Sequence, residues 1–395
     1  MRLHIFNPEN DLALADGGAN YCAPPMAECI ARDLATLPLW FAESSDIVYL
    51  PGDIHNNYRN EWAKVFQLPA VYDETMCNNV DSVRPWGWSS QIHRRLKAMD
   101  IPVGILPKEE SIDAIRRLSN RRSSISIFES LKVAGIDTPE LPRYLCEGPQ
   151  IAHYITSRER CVVKAPWSGS GKGIMWGIGR VERPMENFYT GVIKKQGGVV
   201  CEEFLNAQVE FAMEFFTDGE SVHFAGYSLF KSFKGSYSGN VLAGDDEIER
   251  FLSEYIPQNE LQKVKTTLPQ VLQSLLHGSG YVGYFGVDMM IYKCGDSFRL
   301  NPCMELNLRM NMGMVAHTFF DRYVANGCIG EYNVNFFKKT SEAYTAHIAN
   351  GKAYPLEIEG GKITSGYIGL SPVTESSRYS VSVIIYKQKS IEDIY

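Results

Sequence analysis

Residues Val162-Val-Lys-Ala-Pro-Trp-Ser-Gly-Ser-Gly-Lys-Gly173 run from a short apolar strand carrying Lys164 into a loop with three glycines in five residues, Gly169, Gly171 and Gly173. Glycine tolerates positive φ and lets backbone N–H groups turn toward an anion. A strand-borne lysine beside such a nest is a sensible phosphate site. The P-loop spacing G-x-x-x-x-G-K-[ST] would need Gly at 166 and Ser or Thr at 173. Pro166 and Gly173 stand there, so the metal-binding hydroxyl is missing and that reading fails. On these residues alone a glycine-rich hairpin between strands stays open. The sequence downstream decides.

The decisive downstream stretch is Tyr284-Phe-Gly-Val-Asp-Met-Met-Ile-Tyr292, a strand with Asp288 on one face, followed by Gly295-Asp296 as a hairpin turn. The return segment, Arg299-Leu-Asn-Pro-Cys-Met-Glu-Leu-Asn-Leu-Arg-Met310, carries Glu305, Asn307 and Arg309 at period two. Strand geometry places these three on one face and Met304, Leu306, Leu308 and Met310 on the other. An Asp facing a Glu and an Asn across a hairpin offers hard oxygen ligands for Mg²⁺, to be completed by phosphate oxygens. Arg309 beyond them suits a transferring phosphoryl group or an oxyanion.

Outward from these stretches, 395 residues suffice for two or three domains with real cores. Apolar content of 45% and charged content of 22% are ordinary for a soluble globular protein. A net charge of −7 argues against a dedicated nucleic-acid surface. No apolar run reaches membrane-spanning length, and the N-terminus lacks the apolar core of a signal peptide. Nine cysteines without Cys-x-x-Cys spacing suit free thiols in a reducing cytoplasm. The histidines show no zinc spacing. Nothing in the sequence excludes a homodimer.

Residues 1–110 alternate short apolar strands with helical stretches. Leu3–Phe6, Ile47–Leu50 and Ile101–Leu106 read as strands, and Ala27–Leu37 and a segment marked by Ile92, Leu96 and Met99 read as helices. This pattern predicts a doubly wound α/β domain. Its loop Asn7-Pro8-Glu9-Asn10-Asp11 follows the first strand, where open α/β sheets hold ligands; the same residues also suit ordinary turn and N-cap chemistry. Arg84-Pro85-Trp86-Gly87-Trp88-Ser89 reads mainly as a packing corner. Further on, Phe230-Lys-Ser-Phe-Lys-Gly-Ser-Tyr-Ser-Gly-Asn240 has loop composition. Its Lys231 and Lys234 suit a γ-phosphate or an anionic substrate, and equally a surface loop. Leu261, Val264, Leu268, Val271, Leu272 and Leu275 keep helical spacing, with Pro269 predicting a kink or two helices. Lys362–Leu370 and Tyr379–Tyr386 read as strands of a small β appendage that completes or covers the preceding domain.

Asp288, then seventeen residues on Glu-x-Asn-x-Arg, after Lys164 and its glycine-rich loop, resembles the ATP-grasp domains of biotin carboxylases and D-alanine–D-alanine ligases. Leu131-Lys-Val-Ala-Gly-Ile-Asp-Thr-Pro139 resembles the helix and turn that open this domain. Val199-Val-Cys-Glu-Glu-Phe-Leu205 resembles its hinge, matched at Glu202, Glu203 and Leu205. The resemblance covers roughly residues 111–325. One departure stands out. The family usually places a nucleotide-binding lysine eleven residues before Gly135, where this chain has Ser124, with Arg121 and Arg122 nearby.

The resemblance implies an α/β chain in three parts. A Rossmann-like domain (1–110) would precede an α+β ATP-grasp domain (111–330, with a lid at about 138–204), and a β-rich segment (331–395) would pack on it. It implies ATP and Mg²⁺ as cofactors in a cytoplasmic enzyme. Lys164, Ser168, Gly169, Ser170, Gly171 and Gly173 would hold the phosphates. Glu202, Glu203 and Leu205 would read the base, and Glu210 would reach ribose or phosphate unless it lies on a solvated face. Arg122 or Arg121 would replace the absent lysine. Asp288, Glu305 and Asn307 would hold Mg²⁺, while Arg309, with Lys231 and Lys234, would attend the transfer. The expected reaction is ATP-dependent joining of a small-molecule or peptide carboxylate to an amine. An ATP-grasp kinase or a non-catalytic nucleotide-binding module would use the same residues.

Overall fold

Three sheets are present in the computed structural model, which describes residues 1–169, 173–233 and 236–395. The N-terminal sheet is parallel, in the order Ala70–Val71, Ile47–Val48, Arg2–Ile5, Ser82–Pro85. The segment 101–106, expected as a strand, is a single 3-10 turn at Val103–Ile105. Pro102 removes a ladder donor there, and the third and fourth strands come from shorter segments at 70–71 and 82–85. The helices expected in this region form at Pro25–Asp33 and Ser90–Lys97.

A small antiparallel sheet follows, ordered Arg143–Leu145, Val199–Glu203, Cys161–Lys164, Ile174–Gly177. Helices Gly148–Thr156 and Arg183–Gln196 flank it, and it has its own core around Ile151, Val163, Tyr189 and Cys201.

The third sheet has nine strands, antiparallel throughout. Ser297–Asn307 forms one edge, followed by Gly283–Cys294, Asn206–Thr217, Val222–Phe233, Ser236–Leu242, Ile329–Phe336, Tyr379–Tyr386, Lys362–Gly369 and Glu357–Glu359. The segment 230–240, expected as a loop, forms paired strands of this sheet at 230–233 and 236–240. The C-terminal strands extend the same sheet by pairing Tyr379–Tyr386 with Ile329–Phe336 and Lys362–Gly369, so the β-rich tail completes it. A single helix, Gln258–Leu276, runs through Pro269.

Period two sorts the strand residues. Val209, Phe211, Met213 and Phe215, with Phe285, Val287 and Met289 on the neighbouring strand, are fully buried in one core with helices Ser123–Val133 and Gln258–Leu276. Glu210, Ala212, Glu214 and Asp288 alternate with them and face the opposite way, into a cleft. A second core joins helix Met312–Tyr323 and Trp40 to the far strands. All nine cysteines are free. Among the described residues, no helix is long and apolar enough to cross a membrane.

Phe285 is fully buried and stacks on Phe215 with ring centroids 5.6 Å apart. Phe285→Ala should therefore cost about 3–5 kcal/mol in urea unfolding; a loss below about 1 kcal/mol would show that this face is not the core.

Candidate active site

A cleft of about 510 Å³ lies between the central sheet and the small sheet. Its floor is the alternate face of the central strands. Val162, Lys164, Ile174 and Glu202–Leu205 line it from the small sheet, and Pro8, Asp11 and Trp86 from the N-terminal sheet's loops.

On the floor, Asp288 pairs directly with Glu305, and Gly286 with Asn307, across the hairpin. Burial pushes the Asp288 carboxyl up to about 7, and the neighbouring Glu305 charge pushes the same way. Two adjacent carboxylates and an amide oxygen, with too little local positive charge to keep Asp288 fully ionised, suit a hard divalent cation. No group of three His, Cys, Asp or Glu side chains poised for a metal occurs among the described residues; the acids paired here are two, Asp288 and Glu305, with Asn307 next along the strand face. Met304 departs from the expected alternation. The register slips between Asp288 and Met290, so Asn301, Met304 and Glu305 all line the cleft, while Leu306 and Leu308 keep to the core.

The cations are tightly placed. Lys164 lies 2.5 Å from the Glu202 carboxylate. Arg121 is 4% exposed and donates to the Ala165 carbonyl (2.8 Å), the Ser168 hydroxyl (2.5 Å) and Glu305 (2.9 Å). It thus ties the glycine-rich loop to the acidic hairpin. Arg122 points elsewhere, its guanidinium 4.8 Å from the Tyr144 ring centroid. Of the two arginines, Arg121 is the one that reaches the cleft. Ser124 is buried and donates to the Arg121 carbonyl at 2.8 Å, which helps hold that turn.

Arg309 forms a two-pronged ion pair with Asp11, at 2.7 and 2.8 Å, and donates to Asn307 at 3.1 Å. Asp11 comes from helix Asn10–Asp16, just after the first strand. Gly173 has φ +76°, a conformation that favours glycine, and a Cβ there would also meet Ser168 at 2.7 Å. Ser168, Gly169, Glu202, Glu203, Leu205 and Glu210 line the cleft. Lys231 does not. Ser228, Phe230 and Ser232 face the cleft, so period two turns Lys231 to the other face, where it lies 3.9 Å from Glu331. Ser170, Gly171 and Lys234 lie outside the described residues.

Sequence reasoning missed Glu214, although it repeats Glu210's face four residues on. It is 1% exposed and accepts a hydrogen bond from Asn311 at 2.6 Å, while Asn311 also caps helix Met312–Tyr323. A Cβ at Gly286 or Gly313 would come within 2.7 or 2.6 Å of its carboxylate, so both glycines leave it room. Burial pushes its carboxyl up to about 8.

Solved structures with this fold cover nearly the whole chain. N5-carboxyaminoimidazole synthetase from Staphylococcus aureus complexed with ADP is 13% identical, with a TM-score of 0.52 over 100% of this chain and 94% of that one. The biotin carboxylase–β-gamma-ATP complex from Campylobacter jejuni is 11% identical, with a TM-score of 0.53 over 98% and 88%. The Aspergillus clavatus N5-carboxyaminoimidazole synthase in complex with ADP and 5-aminoimidazole ribonucleotide is 11% identical, with a TM-score of 0.51 over 90% and 92%. No family model and no curated protein matches the sequence. The fold is therefore the α/β ATP-grasp fold, established by architecture rather than by sequence identity.

Glu214 makes stability pH-dependent. Its folded pKa of about 8 lies above the ordinary glutamate value of 4.5, so between those values the native state holds a proton that the unfolded chain has released. Stability should fall as pH rises through that window, by a few kcal/mol (~3–5) for this group, and level off above it. Urea unfolding at pH 5 and pH 8 should show a clearly smaller drop for Glu214→Gln than for the wild type. An equal drop would mean that Glu214 is ionised in the native state.

Proposed function

We propose that the protein is an ATP- and magnesium-dependent ligase that activates a carboxylate as an acyl phosphate for attack by an amine. The observation that carries this reading is the meeting of Asp288 and Glu305, across one hairpin, with Lys164, Arg121 and Arg309 on the walls of the same cleft. The ADP and ATP-analogue complexes among the structures sharing the fold support a nucleotide as its occupant.

On this reading Lys164 and Arg121 bind phosphate oxygens, and the loop from Ser168 to Gly173 covers the β/γ end. Asp288, Glu305 and Asn307 would hold Mg²⁺, which supplies charge neutralisation between phosphate oxygens when bound. Arg121 also fixes Glu305, and Asp11 fixes the plane of the Arg309 guanidinium toward the transferring group. The substrate carboxylate forms a bond to the γ-phosphorus as ADP leaves. The amine then bonds to the carbonyl carbon, phosphate leaves, and the amine proton is released. The chain's contribution is positioning and charge, and no side-chain nucleophile takes part.

Nucleotide binding is tested without knowing the acid. ATP with Mg²⁺ should raise the melting temperature of the wild type by mass action, and less so in Lys164→Ala. No shift at millimolar nucleotide, with calorimetry also silent, would remove the nucleotide from this cleft.

The chemistry is tested by screening carboxylic acids with ATP, Mg²⁺ and hydroxylamine. The true acid should give a hydroxamate together with ADP. Glu305→Gln should lower that rate at least about tenfold while the protein stays folded. A stable phosphomonoester without hydroxamate would instead make the protein a kinase built on the same site.

A further inference from the structure

A second pocket, of about 70 Å³, lies on the other side of Trp86 from the cleft, between the N-terminal sheet and the end of the central hairpin. By the measure of about 10–15 Å³ per water it holds several waters' worth of space, and it opens to solvent. Its walls are largely aromatic, with Trp86, Trp88, Phe216 and Tyr281 among them.

Two arginines and two acids line this pocket, Arg2 and Arg84 with Glu43 and Asp46. Pairing of His4 with Arg84 across the parallel strands sets Arg84 at its wall. The two nearby acids are already engaged. Asp46 accepts from Arg2 (2.9 Å), His4 (3.1 Å) and the Glu43 backbone N–H (3.1 Å), and Glu43 is paired with Arg322. Among the described residues the Arg84 side chain forms no hydrogen bond or ion pair, although it is half-buried; Arg2 repels it more than Asp46 attracts it. A partly desolvated guanidinium beside aromatic walls, with its local acids engaged, is free to take an outside anion in place of water.

We propose that this pocket binds a small carboxylate with a flat apolar body, its carboxylate on Arg84 and its body against Trp86 and Trp88. The aromatic walls favour such a monoanion over inorganic phosphate, whose charge would lose hydration without replacement donors. The site is separate from the nucleotide cleft and does not depend on the ligase reading.

Benzoate is the probe. Titrated into the full chain, it should quench tryptophan fluorescence saturably at millimolar concentration, whereas benzyl alcohol and inorganic phosphate should not. Arg84→Gln should weaken benzoate binding by about tenfold or more, the loss of one charge-assisted pair. Lys164→Ala, on the cleft side, should leave it unchanged. If Arg84→Gln does not fold, the wild type still decides, because benzoate should move the His4 imidazole proton signal. Absence of saturable binding, an unmoved His4 signal, or benzoate binding that is lost with Lys164→Ala and kept with Arg84→Gln would each overturn the proposal.

Discussion

Everything in the candidate site depends on the two-residue alternation of an antiparallel sheet whose one face is already filled. Phe211, Met213 and Phe215 leave no choice of register, because a slip of one residue would put them in the cleft and Glu210 and Glu214 among the helices. Burial of large apolar side chains on the helix side thus fixes where the carboxylates on the other side must stand. The same constraint crosses the strand pairs, bringing Asp288 opposite Ala212 on one side and Glu305 on the other. The acids are held by the packing behind them.

That arrangement concentrates negative charge, and the chain answers with a small number of cations. Among the described residues, Lys164 pairs with Glu202, Arg121 with Glu305 and Arg309 with Asp11. Each pair is at least partly buried, so neither partner can be removed without leaving a costly charge behind. A polyanionic ligand entering this cleft would exchange partners rather than find bare cations, and the acids it displaced would then be open to a divalent ion. Arg121 differs from the other two in what it joins. Its bonds to Ala165, Ser168 and Glu305 span both walls, so loop and hairpin cannot shift independently while it holds.

The acidic hairpin was legible in the sequence because hydrophobic alternation and a Gly-Asp turn define a strand pair without outside help. The failures came where tertiary context overrode composition. Residues 230–240 read as a loop from their Gly, Ser and Lys content, yet strands on both sides supply ladders that hold 230–233 and 236–240 extended. Once it lies in a strand, Lys231 faces away from the cleft, a placement that a loop reading could not give. Met304 escaped prediction because a register slip has no signature in period-two counting. Between Arg121 and Arg122 no pattern could choose, since the difference is a turn whose geometry depends on Asn120, Ser124 and the Pro166 carbonyl.

The N-terminal sheet contributes more than a scaffold. Asn7 exchanges two hydrogen bonds with Gly87, closing the loop after the first strand onto the loop after the fourth. The Trp86 carbonyl then accepts from the backbone N–H of Met310, immediately after Arg309. With Asp11 gripping the Arg309 guanidinium, one short segment of the acidic hairpin is fixed at its backbone and its charged tip by two N-terminal loops. Side chains that meet only at this junction can vary without disturbing the carboxylates on the floor, whose positions the core dictates. Pro8, Ile30 and Trp86, N-terminal residues that face the cleft without holding Arg309, are therefore the positions where its lining can change while the acids of the sheet stay in place.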